Sequence, residues 1–589
     1  MYDLLKTIQS PADLKKLSLE EMKSLAEEIR QALIFRVSHC WGHFGPNLGM
    51  VETEIALHYV FNSPKDKFVF DVSHQTYPHK MLTWRAVAYI DPAHFHEVSG
   101  YTDPKENEHD FFTVGHTSTS ISLASWLAKA RDSKGEKENI IAIIGDGSLS
   151  GGEALEGLDF VGGELHSNFI IIVNDNEQSI AENHGGLYQN LKLLRETNGQ
   201  AELNLFKAMG IDYRYEDEGN NLENLINLFQ SIKDIDHPIV LHIHTQKGKG
   251  YTLAETQKES RHRHLPFNPE TWETSISFWA QESYESLTSQ LFLKKMEEDP
   301  TFTVVTAAMP GTLGFDQEKR EKSWLQFIDV WIAEEHAIAM VSGIAKNGGK
   351  VVFGTNASFL QRTYDQMSQD LCLNENPVTI LVNYSSVWGL NDATHLGIFN
   401  YSLFSNIPNL VLLAPTSKQE YLAMLNWSIE QRKHPVMIMI PWNGVIDDNR
   451  EIPTTFDDLH TFKIEEQGEK VAILALGDFY QIGEKVAQKI KEKIWFTPTL
   501  INPRFASGLD VSLLEHLKQE HQIVITLEDG ILEGGFWQKV ASFYGPTDMK
   551  VKNYGLEKKF YDRYDANELL DQLGITPEKI CHDIETMLK

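Results

Sequence analysis

Cysteine is scarce in this chain of 589 residues: only Cys40, Cys372 and Cys581 are present. Because they lie far apart in the sequence, neither a disulfide framework nor a zinc cluster is indicated. No apolar run approaches the roughly 20 residues of a membrane-spanning helix. The N-terminus also lacks the charged and then apolar segments of a signal peptide. We therefore expect a cytoplasmic protein that does not bind membranes.

Positive charge is also in short supply. The chain has 53 lysines and arginines against 83 acidic residues, a net charge of −30, which argues against nucleic acid or an anionic membrane as a general partner. A phosphorylated ligand would need local positive charge. The 42% hydrophobic and 23% charged content is that of a globular protein, and the length predicts about three domains.

The stretch from 140 to 180 predicts a β-α-β unit with polar residues at both strand ends. An apolar run at 140–144 ends in Gly-Asp-Gly, and a second at 169–173 ends in Asn-Asp-Asn. Ligands bind at the carboxyl ends of parallel strands, so Asp146 and Asn176 are expected to lie close together. Their oxygens suit Mg²⁺, and the glycines allow a diphosphate to approach. A lone Gly-Asp-Gly is more often a turn, but the second polar strand end favours a metal and diphosphate site.

Other polar groups also follow strands or begin helices, which suggests one site built from several loops of a doubly wound sheet. They include the loop at 39–49, the residues after a strand at 68–72, and the loop at 114–122. Lys247 follows a strand at 238–244, and its spacing allows either a diphosphate contact or a solvated surface lysine. Residues 255–285 show little periodicity and are expected to form a linker.

Two more α/β patterns follow in the second half of the chain. Strands are expected at 302–307, 350–354, 378–382, 410–413 and 436–440, and then at 471–476, 497–501 and 522–527. The predicted fold class is therefore α/β, with three consecutive α/β domains that have mainly parallel sheets.

Several motifs together resemble the transketolase superfamily, and most closely the 1-deoxy-D-xylulose-5-phosphate synthase family. They are GHFGPNLGMVETEIALHYVF, FDVSHQTYPHK, VGHTSTSIS, the GDG and NDN pair, WIAEEHAIAM and FLQRTYDQ. The likeness covers nearly the whole chain in the same order. It implies thiamine diphosphate with Mg²⁺, held between the first two domains of one subunit of a homodimer. The implied domains are diphosphate-binding (1–270), pyrimidine-binding (295–455) and transketolase C-terminal (460–589), so that the thiamine-diphosphate-binding fold occurs twice.

The resemblance also implies roles for individual residues. Asp146, Asn176 and the carbonyl of Gln178 would bind Mg²⁺. Glu334 would be the acid that shares a proton with the aminopyrimidine ring; without the motif, a glutamate there could simply favour the helix dipole. The full set implied to bind the cofactor is His74, Gly115, His116, Gly145, Asp146, Gly147, Ser148, Asn176, Lys247, Glu334 and Phe359, where Phe359 would stack on the ring.

Histidines are the implied proton carriers near neutral pH, and the candidates are His43, His74 and His395. Each of them could instead be a structural histidine. The implied reaction is decarboxylation of a 2-oxo acid, pyruvate in the synthase, followed by transfer of the two-carbon unit to an aldehyde. In the synthase family this reaction belongs to isoprenoid biosynthesis.

The chain departs from the family pattern at the acceptor end. Two arginines expected to hold the acceptor's phosphate are replaced by Tyr384 and Trp442, while Arg362 matches the third, and an expected aspartate is Asn391. Neither aromatic residue supplies a cation for a phosphate. We therefore expect a synthase-like enzyme with a different acceptor, a less phosphorylated or more apolar aldehyde. Ser73 in place of a glycine, Pro46 in place of a serine, and a shorter segment after residue 180 are further departures.

Two other functions fit the same motifs. A transketolase would transfer a ketol unit between sugars, with a ketose rather than a 2-oxo acid as donor. A catalytically idle paralogue would bind the cofactor without turnover, although an idle site has no need of Glu334. A decarboxylase of a dehydrogenase complex would require a lipoyl partner, and no docking sequence for one is visible.

Overall fold

The computed structural model describes residues 2–180, 182–264, 266–268, 271 and 282–589. The chain divides into two compact units, Met1–Ala280 and Gln281–Lys589. Among the described residues, no helix combines the length and the apolar character that crossing a bilayer requires.

The strands of the N-terminal unit are β1 (Gly42–His43), β2 (Lys67–Phe70), β3 (Ile140–Gly145), β4 (Phe169–Asp175), β5 (Asp212–Glu216), β6 (Pro238–His244) and β7 (Arg263–His264). Five of them form a fully parallel sheet in the order β2-β3-β4-β6-β5. The helices of this unit are α1 (Pro11–Leu14), α2 (Leu19–His39), α3 (Gly45–Val60), α4 (Tyr77–Lys80), α5 (Val87–Ile90), α6 (Ser120–Lys134), α7 (Gly152–Glu164), α8 (Gly186–Glu196), α9 (Leu205–Ala208), α10 (Leu222–Ile232) and α11 (Thr252–Thr256).

Helices cover both faces of this sheet. Ile141 and Ile143 of β3 pack in one core with α2, α3 and α10, whereas Ala142 and Ile144 pack in a second core with α6 and α7. A strand buried on both faces reads as a continuous apolar run rather than an alternating one. This is why β3 and β4 could be located from the sequence.

The predicted linker at 255–285 is wrong in its first part. Arg263 and His264 form β7, which pairs antiparallel with β1. The backbone N–H groups of Phe44 and Gly45 donate to the carbonyls of His262 and Arg261 at 3.0 and 2.9 Å. The segment is polar and pairs with the loop at 42–45 through its backbone, so its side chains show the low periodicity of a linker. Residues 272–281 of the predicted linker lie outside the described part of the chain.

The described strands of the C-terminal unit form two sheets. They are β8 (Phe302–Thr306), β9 (Phe327–Asp329), β10 (Lys350–Asn356), β11 (Thr379–Asn383), β12 (Val411–Leu413), β13 (Val436–Met439), β14 (Lys463–Glu466), β15 (Lys470–Ala475), β16 (Thr499–Asn502), β17 (His521–Ile531) and β18 (Lys550–Leu556). The first sheet is parallel throughout, in the order β12-β13-β11-β10-β8-β9. The second has the order β14-β16-β15-β17-β18 and is parallel except for the edge strand β14.

The helices of this unit flank the two sheets. They are α12 (Tyr284–Glu298), α13 (Gln317–Lys322), α14 (Glu334–Lys346), α15 (Ala357–Leu360), α16 (Tyr364–Gln366), α17 (Asn400–Phe404), α18 (Lys418–Glu430), α19 (Tyr480–Lys493), α20 (Val511–Glu520), α21 (Phe536–Tyr544), α22 (Ala566–Gln572) and α23 (Pro577–Leu588). One apolar core includes residues of both sheets, among them Val382, Leu474 and Ile501. The predicted fold class, three α/β domains with mainly parallel sheets, is confirmed.

Candidate active site

In the N-terminal unit, the loops that follow β3 and β4 lie against one another. Gly145 is paired in register with Asn174 of the neighbouring strand. A Cβ atom on Gly147 would lie 2.7 Å from the Cβ of Ser179. The side chain of Asn183 connects the two loops: its amide donates to Asp146 Oδ2 at 2.8 Å, and its carbonyl accepts from the Ser179 N–H at 3.0 Å. The structure therefore brings Asp146 to the loop that contains residues 176–179, which we call the N-terminal half-site.

The carboxyl group of Asp146 is buried, and its burial and the nearby charge of Asp175 both raise its pKa. Asp175 itself stays ionised, because it accepts from His242 Nε2 at 2.8 Å and pairs with Arg195, and these contacts lower its pKa to about 2. The side-chain oxygen of Gln178 is buried without a hydrogen-bond partner among the described residues. A buried acid and, on the adjoining loop, a buried oxygen without a partner are the kinds of group that a divalent cation with oxygen ligands uses. The Gln178 group that the resemblance implies is the backbone carbonyl, and its role stays a prediction.

Lys247 supplies positive charge to this half-site. Its side chain is only 1% exposed, and its Nζ donates to the carbonyl of Ser179 at 2.6 Å. Burial lowers the pKa of Lys247 to about 7, although the charge of Asp146 opposes that effect. The burial excludes the alternative of a solvated surface lysine.

The loop that carries Gly115 and His116 lies beside the loop after β3. The Ser118 hydroxyl donates to the carbonyl of Ser148 at 2.8 Å. Asp71, at the end of β2, accepts from the N–H groups of Ser118 and Ser120 at 2.9 and 3.0 Å and so fixes the start of α6. The implied cofactor residues of three separate loops therefore meet at one edge of the sheet.

Ser73 has a φ of 60°, in the left-handed region that favours glycine. Its hydroxyl donates to the carbonyl of Val114 at 2.5 Å and accepts from the Thr102 N–H at 2.9 Å. These two bonds connect three segments and offset the backbone strain of this departure from the family pattern.

Three histidine rings form a cluster in the N-terminal unit. The ring centroids of His43 and His74 are 4.9 Å apart, and that of His262 lies 5.8 Å from His43 and 5.3 Å from His74. His262 is half-buried, and the loss of solvent around its ring lowers its pKa well below the usual value. The charges of Lys247 and His74 act in the same direction. Sequence reasoning missed His262 because it lies in the segment predicted as a linker. The run Arg-His-Arg-His at 261–264 was the available signal.

Asn47, in the first turn of α3, fixes the backbone on which two of these histidines lie. Its amide donates to the carbonyls of His43 and His74 at 2.9 and 2.8 Å, and its side-chain carbonyl accepts from the Tyr77 N–H at 2.8 Å. The side chain is fully buried. Asn47 thus joins the loops that carry His43 and His74, which are separate in the sequence, into one rigid structure.

In the C-terminal unit, Glu334 is the first residue of α14 and its side chain is buried. Burial raises its pKa to about 7, and the charge of Arg362 opposes that rise. Arg362 lies between two acids: Nη1 is 3.3 Å from Glu334 Oε2, and Nε is 3.3 Å from Glu335 Oε1. Arg362 is the one expected phosphate-binding arginine that is present in this chain, and it faces two carboxylates. We call Glu334, Phe359 and Arg362 the C-terminal half-site.

Phe359 and His395 are neighbours in the same unit, with ring centroids 5.5 Å apart in an edge-on arrangement. The Nδ1 atom of His395 lies 2.8 Å from Thr394 Oγ1 and 3.2 Å from Asp392 Oδ1. The contact with Asp392 orients the imidazole of His395. The amide of Asn391, by contrast, donates to the carbonyl of Tyr564 at 2.8 Å, so it attaches its loop to the C-terminal domain.

Tyr384 and Trp442 are in direct contact, with ring centroids 4.0 Å apart and an angle of 44° between the rings. Each follows a strand of the first sheet, β11 or β13, and these strands are adjacent. We call this pair the aromatic wall. These are the two positions at which the sequence resemblance implies arginines, and that correspondence stays a prediction.

Three family descriptions match successive parts of the chain: "1-deoxy-D-xylulose-5-phosphate synthase" at residues 5–204, "Transketolase, pyrimidine binding domain" at 282–444, and "Transketolase, C-terminal domain" at 460–580. Curated relatives resemble the chain over its full length. A 1-deoxy-D-xylulose-5-phosphate synthase of Alkaliphilus oremlandii is 36% identical and matches 99% of both chains. A 1-deoxy-D-xylulose-5-phosphate synthase 1 of Geobacter sulfurreducens is 35% identical over 100% of this chain and 98% of the relative. One from Clostridium beijerinckii is 35% identical over 95% of each chain.

Proposed function

The chain belongs to the 1-deoxy-D-xylulose-5-phosphate synthase family, and from this we propose that it is a thiamine-diphosphate-dependent transferase with an altered acceptor. It would decarboxylate pyruvate and transfer the two-carbon unit to an aldehyde that carries no phosphate group. The family supports the transferase class and the dependence on thiamine diphosphate. The acceptor is argued from the aromatic wall.

We propose that the N-terminal half-site binds the metal ion and the diphosphate of the cofactor. Asp146, Asn176 and Gln178 would hold Mg²⁺, and Lys247 would contact the diphosphate, since these residues supply oxygens and a buried cation in one place. When bound, thiamine diphosphate supplies a carbon nucleophile that attacks the donor's carbonyl and a cationic ring that takes up the electron pair released with carbon dioxide.

Glu334 would hold the proton that activates the cofactor ring. A pKa of about 7 means that its carboxyl is partly protonated near neutral pH, which suits a general acid. Arg362 and Glu335 tune this equilibrium, because they bring opposite charges to the same carboxyl group. His43, His74 and His395 remain the candidate proton carriers, and His262 joins them as a neutral hydrogen-bonding group beside the first two.

The 4.0 Å contact between Tyr384 and Trp442 carries the proposal of an altered acceptor. An arginine binds phosphate through charged, two-pronged hydrogen bonds, whereas a tyrosine or tryptophan offers a ring face and one polar group. The remaining arginine, Arg362, already faces Glu334 and Glu335. An uncharged aldehyde with an apolar part fits this surface better than a phosphate dianion does.

We further propose a cytoplasmic homodimer. The cytoplasmic location rests on composition, and Cys40, Cys372 and Cys581 are all free thiols, as expected in a reducing compartment. The dimer rests on the family. Sedimentation of the purified protein should give about twice the chain mass of 67.1 kDa.

Steady-state kinetics with pyruvate would test the function directly. Carbon dioxide release and product formation, followed by mass spectrometry, would be compared for D-glyceraldehyde 3-phosphate, D-glyceraldehyde, glycolaldehyde and benzaldehyde. We expect carbon dioxide release and a higher kcat/KM for an unphosphorylated aldehyde than for the phosphate ester. Efficient turnover of the ester would overturn the altered acceptor and leave an ordinary synthase.

The same experiment separates the other functions. Transfer from a ketose phosphate without carbon dioxide release would indicate a transketolase. Cofactor binding without exchange of the C2 proton, read by NMR, would indicate an idle paralogue.

A further inference from the structure

The two loops that form the aromatic wall are both fastened to the C-terminal domain by buried aspartates. Asp529 lies on β17, and its side chain is 1% exposed. It accepts from the Ser386 hydroxyl at 2.5 Å and from the Val387 N–H at 2.9 Å. The Ser386 hydroxyl in turn accepts from the Trp388 N–H at 3.2 Å. The loop after β11, which begins with Tyr384, is thus tied to β17.

Asp478 makes the corresponding contact with the second loop. It lies in the turn after β15, and its Oδ2 accepts from the backbone N–H of Trp442 at 2.9 Å. The structure therefore sets one aspartate of the C-terminal domain against each half of the aromatic wall.

We propose that Asp478 and Asp529 are positioning residues that hold the aromatic wall in place and thereby set the selectivity for the acceptor. The inference rests on the proposed function and deepens it, since it assigns part of the acceptor site to a different domain from the one that carries Tyr384 and Trp442.

Two features distinguish these contacts from ordinary packing between domains. The contact of Asp478 is to Trp442 itself rather than to a residue nearby. Tyr384 has a φ of 59°, and a Cβ atom on Gly397 would lie 1.9 Å from its carbonyl oxygen, so its loop has one narrow arrangement. Because this loop has so little conformational freedom, its hydrogen bonds to Asp529 also fix the position of the Tyr384 ring.

The two carboxylates also shape the electrostatics of this region. Burial raises the pKa of Asp478 to about 6, and burial together with the charge of Asp478 raises the pKa of Asp529 above its usual value. The backbone N–H groups of Trp442 and Val387 act in the opposite direction, because a hydrogen bond to a carboxylate favours its ionised form.

The test compares Asp478→Ala, Asp478→Asn and Asp529→Asn with the control Glu528→Gln. Glu528 is the neighbour of Asp529 and is fully buried, but it accepts from the N–H groups of Phe536 and Trp537 within its own domain. Two quantities are measured: carbon dioxide release from pyruvate in a single turnover without acceptor, and the KM for D-glyceraldehyde.

We expect Asp478→Ala and Asp529→Asn to raise the KM for the acceptor about five- to tenfold, the loss of one charge-assisted hydrogen bond. Carbon dioxide release should stay within about twofold of wild type. Asp478→Asn keeps an oxygen for the Trp442 N–H and should have a smaller effect than Asp478→Ala. Glu528→Gln should leave the KM unchanged.

Hydrogen exchange of the peptide that contains Trp442 gives a second measurement that does not depend on turnover. In Asp478→Ala the Trp442 amide should exchange faster while the peptides of β15 and β17 keep their protection. Normal carbon dioxide release with an unchanged acceptor KM, or an equal rise in Glu528→Gln, would overturn this inference alone. Absence of carbon dioxide release in the wild type would overturn the proposed function, and this inference with it.

Discussion

At the scale of single residues, the charge balance around Glu334 decides whether the carboxyl can hold a proton. Burial removes water from the carboxyl group and favours its neutral form, while Arg362 at 3.3 Å favours the anion. Since Arg362 also faces Glu335 at 3.3 Å, its charge is divided between the two acids. Glu334 is left with a pKa of about 7.

Glu334→Gln should lower kcat by about 10²- to 10⁴-fold, because the amide cannot transfer a proton. Cofactor affinity, measured by fluorescence titration, should change much less. The exchange rate of the cofactor's C2 proton, followed by NMR, is the direct measurement. Glu321→Gln, at an exposed position of α13, serves as a control. A variant with near-normal exchange would show that Glu334 does not act as the acid.

The same residue predicts how stability depends on pH. The pKa of Glu334 is raised from 4.5 to about 7 on folding. The contribution of Glu334 to the free energy of unfolding is therefore fully present below about pH 4.5 and is lost as the pH rises through about 7. A difference of this size corresponds to about 3 kcal/mol. Urea unfolding of the apoprotein at several pH values should show this decline in the wild type and not in Glu334→Gln; parallel curves would contradict it.

The aromatic wall predicts a gain of function. Tyr384→Arg with Trp442→Arg restores two guanidinium groups to the positions expected for phosphate recognition. The kcat/KM for D-glyceraldehyde 3-phosphate should rise by at least about tenfold, the equivalent of one charged contact. The double variant with leucine at both positions removes the rings without adding charge. An equal gain in that control would show that space, and not charge, limits the acceptor.

At the scale of elements, the first turn of α3 and the loop before it act as one structure through Asn47. Its side chain satisfies two buried carbonyls and one N–H that belong to segments about thirty residues apart. Helix α3 is itself fully packed in the core, so it provides a fixed base for the histidine cluster. The imidazoles of His43 and His74 are therefore placed by a helix and not by their loops alone.

Asn47→Ala should destabilise the protein by about 2–4 kcal/mol, because the carbonyls of His43 and His74 lose their donor in a buried place. The catalytic rate should fall more than the affinity for the cofactor. Unfolding by urea and the rate of carbon dioxide release are the two measurements. The control Asn190→Ala also removes two hydrogen bonds to the backbone, but these lie near solvent. It should therefore lower the free energy of unfolding by less than Asn47→Ala does. An equal decrease in the two variants would show that the burial of Asn47 has no special effect.

At the scale of the whole molecule, a net charge of −30 must coexist with a phosphorylated cofactor. The proposed site has one buried lysine, Lys247, whose pKa is lowered to about 7, and the proposed Mg²⁺ would add positive charge. Because the metal and the cofactor would bind the folded state only, they should stabilise it.

Mg²⁺ with thiamine diphosphate at 100 times the dissociation constant should stabilise the protein by about 2.7 kcal/mol, and removal of the metal by EDTA should abolish this gain. In Asp146→Asn the gain should be lost, while the apoprotein should be no less stable, because the variant no longer buries a carboxyl group. Thermal unfolding measures both. Asp571→Asn, at an exposed position of α22, is the control. A normal gain in Asp146→Asn would exclude Asp146 as a metal ligand.

Much of the fold could be predicted because strands buried on both faces read as apolar runs of fixed length, as at β3, β4 and β11. The strands that the sequence analysis missed are less apolar or short, such as β5, β14 and β18. An edge strand is half exposed and loses the pattern that marks a central one. The linker prediction failed for the same reason, since β7 contains only Arg263 and His264.

The order of the motifs by itself determined the fold class and the family, and it predicted the residue types of the site, because the carboxyl ends of parallel strands lie at one edge of a sheet. Only the tertiary structure decided that Lys247 is buried, that Arg362 faces two acids, that His262 joins His43 and His74, and that Tyr384 touches Trp442. These are contacts between segments distant in sequence. Burial and charge pairing depend on which side chains share a low-dielectric space, and no local pattern records that.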